Sequence, residues 1–175
     1  MPTSWLVGWK ALLLGAVLTL TGGLVLGVVV LLSGIYNVAA SVPHFAITDR
    51  VIKLALHRSV ATHSMGIDPP DLTDTNLVRL GLGHYRLGCA PCHADPTSEP
   101  SPIVSQMYPA PPRLSEAVSK WDTAELFWIV KNGINMTGMP SFGATGVPDP
   151  ELWSIVAFLK KLPDVKEEDF KKWTQ

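Results

Sequence analysis

Between Lys10 and Asp49 the chain carries no Asp, Glu, Lys or Arg, and the segment ALLLGAVLTLTGGLVLGVVVLLSG, Ala11 to Gly34, is apolar apart from two threonines and one serine. Uncharged runs of this length are rare inside water-soluble proteins. As a helix rising 1.5 Å per residue, the segment reaches about 36 Å, which spans a hydrocarbon core of about 30 Å with some tilt. Trp5, Trp9 and Tyr36 flank it where interfacial aromatics belong. Lys10 is the nearest charge on the N-terminal side, so the excess of positive charge that marks cytoplasmic ends places the N-terminus in the cytoplasm. A cleaved signal peptide is the competing reading, and Val38-Ala39-Ala40 has the small side chains of a cleavage site. Signal sequences have apolar cores of only about 7–15 residues, so the run is read as a retained anchor. Either way the rest of the chain is exported.

The net charge of −1 hides an uneven distribution. Up to residue 67, Lys10, Arg50, Lys53 and Arg58 face Asp49 alone, and the remainder is acidic on balance. No concentrated basic stripe exists, so nucleic acid is not an expected partner. After a break around Pro43, ITDRVIKLALHRSVATHSM, Ile47 to Met65, has helical periodicity, with Ile47, Val51, Leu54 and Ala55 on one face and Thr48 or Asp49 available as a cap. Its basic residues suit a solvated linker helix, a helix on the membrane surface, or one docked on a partner subunit. Asp68-Pro69-Pro70-Asp71 closes this segment.

The only two cysteines of the chain lie in GCAPCHADP, Gly88 to Pro96, three apart and followed at once by His93. Such a C-x-x-C-H can be half of a zinc site, a dithiol redox couple, or a covalent haem attachment site. Zinc needs four ligands, usually as two separated pairs, and no second cysteine pair exists. Ala90-Pro91 resembles the proline-containing dithiol motifs, but that fold needs strands, and no period-2 run flanks the motif. Haem accounts for all five residues: Cys89 and Cys92 each join one vinyl group, and one helical turn brings His93 under the iron.

The downstream pattern is one of short helices. Asn76 to Gly88 places Leu77, Leu80, His84 and Leu87 on one stripe. Ala94 to Pro112 contains six of the fifteen prolines and is expected to be an irregular loop. Asp122 and Glu125 form a capping box, with Asn132-Gly133 as the stop. Asp149-Pro150 is read as cap then first turn of a last helix, which Pro163 ends. A domain of this size has little apolar core of its own, and a buried haem would supply the missing volume. For the other face of such a haem, KNGINMTGMPSFG, Lys131 to Gly143, offers Met136 and Met139 in a loop where glycines specify the backbone. Met139 is the better candidate ligand because Pro140 stiffens the chain beside it.

Gly81, Tyr85, C-A-P-C-H at 89–93, the Pro-Pro-x-Leu at 111–114, W-D-T-A-E-L-F-W-I-V-K-N-G at 121–133, G-M-P-S-F-G at 138–143 and L-W-S-I-V-A-F-L-K-K-L-P at 152–163, in this order, resemble a class I cytochrome c of the membrane-anchored monohaem type. The resemblance implies an all-α fold: an N-terminal transmembrane helix, then three to five short helices around one covalently bound haem c. It implies that His93 and Met139 are the axial iron ligands. It also implies that the first and last helices of the domain cross, with Gly81 and Tyr85 against Leu152, Trp153 and Val156, and that a carbonyl at Pro111 or Pro112 accepts a hydrogen bond from His93. Arg113, Trp121 and Trp128 are candidate donors to haem propionates.

The expected organisation is an anchor over 1–40, a linker with the basic helix over 41–70, the haem domain over 71–165 and a polar tail over 166–175. The expected function is single-electron transfer at the periplasmic face of a bacterial inner membrane. The donor would be a dehydrogenase or quinol-oxidising complex, and the acceptor an oxidase or soluble cytochrome. The alternatives are a membrane-anchored thiol-disulfide oxidoreductase and a haem-based enzyme or sensor.

Overall fold

The computed structural model describes residues 3–175, with side chains from residue 8 onward. The Trp5 side chain, read above as an interfacial aromatic, lies outside the described residues. Every regular element is helical, and no strand occurs among the described residues. Helix α1 spans Thr3–Ser33, and its stretch Gly8–Ser33 has a mean hydropathy of 2.4 and buries none of its surface in protein. It is long and apolar enough to cross a membrane. The chain divides into two compact units, one ending at Val42 and the other running from Pro43 to Gln175.

Within the second unit, helix α2 runs Ala46–His63 and α3 runs Thr75–His84. A wider π-helical turn over Tyr85–Cys89 then leads into the single turn α4, Ala90–His93. Helices α5, Pro102–Ser105, and α6, Leu114–Ala117, are also single turns, and α5 interrupts the loop that the prolines predict. Helix α7, Thr123–Asn132, starts on the predicted capping box: the Asp122 carboxylate accepts from Glu125 N–H at 2.8 Å, and Glu125 accepts from Asp122 N–H at 3.0 Å. It ends at Gly133, whose φ of +69° suits only glycine at little cost. Helix α8, Asp149–Lys161, and α9, Glu167–Thr174, complete the chain.

Two predicted caps are otherwise employed. Pro148, not Asp149, holds the cap position of α8, because Asp149 is already helical and its carboxylate pairs with Lys131 at 2.8 Å. Likewise Phe45 precedes α2, and Asp49 pairs one turn onward with Lys53 at 2.8 Å.

The core forms where α3 crosses α8. The predicted stripe Leu77, Leu80, His84 and Leu87 is not the buried one: Leu80 and Leu87 are exposed, and His84 Nε2 lies 3.1 Å from Glu151 at the rim. Gly81, Leu82, Tyr85 and Cys89 are buried in their place. Gly81 decides this. A Cβ there would lie 1.9 Å from the Ser154 carbonyl oxygen and 2.9 Å from Phe158 Cβ, so only glycine lets the two backbones touch. Tyr85 meets the Phe158 ring at 5.0 Å, while Trp153 stacks on Phe127 at 4.0 Å. Gly81 therefore meets Ser154 and Phe158 of α8, one turn apart, and Tyr85 meets the ring of Phe158.

Helix α2 does not behave as a free linker. Val60 is fully buried, His57 stacks on Trp121 at 4.4 Å and His63 lies 5.6 Å from Trp128, so the C-terminal half of α2 packs beside α7. The apolar face read from the sequence, with Ile47, Val51 and Leu54, is the opposite one and stays exposed.

Gly81→Ala is expected to lower the guanidinium unfolding midpoint by an amount equivalent to about 1–3 kcal/mol, because overpacking against a backbone carbonyl has no side-chain relief. Gly83→Ala, two residues on with nothing within 4 Å, is expected to raise it by roughly 0.5–1 kcal/mol. Equal effects at both positions would mean that the crossing is looser than described.

Candidate functional site

The motif residues owe their positions to the π-turn that joins α3 to α4. Cys89 lies at its end, buried, and Cys92 is half-buried one turn later; both thiols are free. His93 closes α4, and the next residue, Ala94, is buried with φ of +58°, a conformation that costs a non-glycine residue of order 1–3 kcal/mol. The buried Tyr85 hydroxyl holds it there, donating to the Ala94 carbonyl at 2.6 Å. Burial raises the Tyr85 pKa, so the hydroxyl remains a donor. The core tyrosine thus holds the exit of the motif from beneath.

His93 is oriented from the other side. Its Nδ1 is 2.7 Å from the Pro112 carbonyl oxygen, which selects Pro112 from the two prolines expected. With the Nδ1 proton donated there, Nε2 keeps its lone pair. Burial lowers the pKa of His93, outweighing the opposing pull of the Pro112 carbonyl, so the ring stays neutral and able to act as a ligand.

Cys89, Cys92, His93 and Met139 all line one crevice of about 1280 Å³, counting the solvent at its open mouth. Its water-accessible interior is about 270 Å³, just below the roughly 300–1,000 Å³ typical of small-molecule sites. The walls are mostly apolar, with Leu114, Leu126, Ile129, Val130 and Leu159 among them. Met136 points elsewhere and is 80 % exposed. The Met139 loop is held by its backbone. Met139 N–H donates to Thr137 Oγ1 at 3.1 Å, Thr137 Oγ1 donates to the Ile134 carbonyl at 2.7 Å, and Ile134 N–H donates to the Met139 carbonyl at 3.3 Å. Gly133 lets this loop close, since a Cβ there would sit 2.7 Å from the Met139 oxygen.

Pro111, Pro112 and Trp121 line the crevice, and Arg113 and Trp128 lie outside its lining. The Arg113 guanidinium turns to the proline-rich loop, where it binds Glu99 at 2.6 Å and the Ser98 carbonyl at 3.3 Å. The Trp128 ring faces His63 of α2. Leu56 and Met107 are among the lining residues that escape the sequence reading. Leu56 comes from α2, whose packing no local pattern announces. Met107 approaches Gly138, where a Cβ would lie 2.3 Å from its Cε; a lone thioether in a proline-rich loop carried no such signal.

Two free thiols, one neutral imidazole nitrogen and the Met139 thioether, with Met107 also in the wall, surround an apolar slot and form a donor set that fits a covalently joined haem. The family model described as cytochrome C oxidase, cbb3-type, subunit III matches residues 76–159, the stretch from the first turn of α3 to near the end of α8. Residues 76–159 are a cytochrome c domain. No curated protein matches the chain. A cytochrome c domain implies haem c and haem-based electron transfer.

The other readings of the motif fare worse. Among the described residues no three His, Cys, Asp or Glu side chains gather, so the ligands of a closed zinc site are not assembled. A redox dithiol needs an exposed thiolate of lowered pKa beside strands. Cys89 is buried among helices, and that burial, aided by the neighbouring Cys92, pushes its thiol up to about 12.

In the cytochrome c domain, Gly133→Ala is expected to lower stability more than Gly146→Ala. Both glycines have positive φ, which costs an L-residue about 1–2 kcal/mol, but the Gly146 site is otherwise open. The difference between the two unfolding midpoints measures the contact with the Met139 loop; matching midpoints would show that the loop yields freely.

Proposed function

We propose that the protein is a membrane-tethered carrier of single electrons, with haem joined to Cys89 and Cys92 and iron held between His93 and Met139. The observation that supports this best is the meeting of those four residues in one apolar crevice while Met136 lies in solvent. When bound, the haem supplies the one-electron couple between Fe(III) and Fe(II), and methionine with histidine favours a raised potential. The chain's own residues fix the ligands and exclude water. Pro112 holds the His93 tautomer, Thr137 and Gly133 shape the Met139 loop, and Leu126, Ile129 and Val130 keep the slot apolar. If His93 and Met139 both held the iron, they would leave it no position for a substrate. That favours a carrier over a haem enzyme or gas sensor.

Helix α1 is the proposed anchor in a bacterial inner membrane, with its N-terminus cytoplasmic and the cytochrome c domain periplasmic. Export fits the motif, because haem is joined to C-x-x-C-H at the outer face of bacterial inner membranes. A dehydrogenase or quinol-oxidising complex is the proposed donor. An oxidase or soluble cytochrome is the proposed acceptor, and the oxidase subunit named by the matching family model supports the former.

Haem is expected to stay with the wild-type chain through acid-acetone extraction and denaturing electrophoresis, and to be lost from the Cys89→Ser/Cys92→Ser variant. Retention in that variant would remove the covalent assignment.

Met139→Ala is expected to abolish the weak far-red thioether-to-iron band of the oxidised protein and to lower its potential, and Met136→Ala to leave both unchanged. The reverse pattern would name Met136 as the ligand.

A further inference from the structure

Helix α2 is amphipathic twice over. One side, with Leu56, His57, Val60 and His63, packs on the cytochrome c domain and reaches its crevice. At 100° per residue, Ile47, Val51, Leu54 and Arg58 fall on the opposite side, and Ala61 lies at its margin. Ile47, Val51 and Leu54 are 68 %, 57 % and 61 % exposed, and Met65, just past the helix end, is 72 % exposed on the same line. A solvated helix gains nothing from large apolar side chains there, and contiguous exposed apolar surface marks an interaction site.

Charge and chain length indicate the occupant. Arg50 and Arg58 border or interrupt the exposed face, and among the described hydrogen bonds and ion pairs no acidic group engages either; Lys53 has Asp49. Long basic side chains around an apolar strip suit an anionic lipid surface, where the stems lie along the acyl boundary and the heads reach phosphates. Only twelve residues separate Ser33 at the end of α1 from Ala46 at the start of α2. Even fully extended they span no more than about 43 Å. If α1 crosses a bilayer, α2 therefore cannot leave the vicinity of that bilayer.

We infer that the outer face of α2 is a lipid-binding surface that lies in the headgroup region of an anionic membrane. Because the inner face of the same helix is packed on the cytochrome c domain, seating α2 sets the direction in which the crevice opens relative to the membrane. The inference rests on α1 being a membrane anchor.

The test uses the full haem-loaded chain in vesicles of phosphatidylglycerol and phosphatidylcholine. A nitroxide is placed in turn at Val51→Cys, Leu54→Cys and, as a control on α9, Glu168→Cys, and spectra are recorded on the reduced protein. The expected result is high collision with oxygen and low collision with a water-soluble nickel chelate at Val51 and Leu54, with the opposite at Glu168. Pure phosphatidylcholine, or Arg50→Gln/Arg58→Gln in the anionic vesicles, should shift the two α2 labels toward water. Labels at Val51 and Leu54 that remain in water in anionic vesicles overturn the inference. If the same labels become shielded only in the native membrane, the face belongs to a protein partner, and the lipid assignment falls. Release of the whole chain by alkaline carbonate would instead overturn the anchor reading, and the inference with it.

Discussion

Backbone meets backbone where Gly81 of α3 lies against Ser154 of α8, and the geometry of the crevice follows from that contact. The crossing brings Tyr85 onto Phe158 and buries Leu152, Ile155, Val156 and Leu159 beneath it. A few short helices enclose little apolar volume, so the pair has to approach closely to be stable at all. Once α3 is set, the chain leaves it by the π-turn in a direction with no freedom. Tyr85, buried in the crossing, also donates to Ala94, so one side chain belongs to both the core and the exit of the C-x-x-C-H motif. Damage to the crossing would be felt directly at His93.

The crevice is then assembled from separate pieces of chain, several of them held by main-chain groups. The Pro112 carbonyl orients His93, the Thr137 hydroxyl and the Gly133 backbone present Met139, and α7 supplies the apolar wall between them. Backbone-built restraints are stiff, because moving one acceptor moves a whole segment. Stiffness suits a site whose ligands must hold one geometry while the charge at its centre changes. The neutral His93 adds to this, since it places no stray charge in the slot.

The parts of this arrangement that were legible in the sequence are those encoded locally. C-x-x-C-H, the capping box at Asp122 and Glu125 and the glycine stop at 133 each depend on residues within a few positions of one another. The uncharged run before Asp49 is equally local. What sequence periodicity missed was decided by partners far along the chain. The stripe Leu77, Leu80, His84 and Leu87 has good helical spacing, yet the small Gly81 beside it faces the core because α8 needs its lack of a side chain. Asp149 had a cap's chemistry, but Lys131 lies close enough to take its carboxylate. Arg113 and Trp128 are engaged by Glu99 and His63, partners 14 and 65 positions away that no local pattern announces.

Helix α2 extends this point beyond the cytochrome c domain itself. The matching family model begins at residue 76, so Leu56 and His57 are supplied by chain outside it. Leu56 nevertheless lines the crevice, and His57 covers Trp121, another lining residue. A segment that merely spaced the domain from an anchor would have no reason to bury Val60 completely. With one face committed to the crevice wall and another left apolar and basic, α2 joins the surroundings of the site mechanically to whatever its outer face touches. Electron transfer depends steeply on the separation and orientation of donor and acceptor groups. A rigid helix shared between the crevice and an external surface therefore constrains the approach of partners more tightly than a flexible tether of the same length.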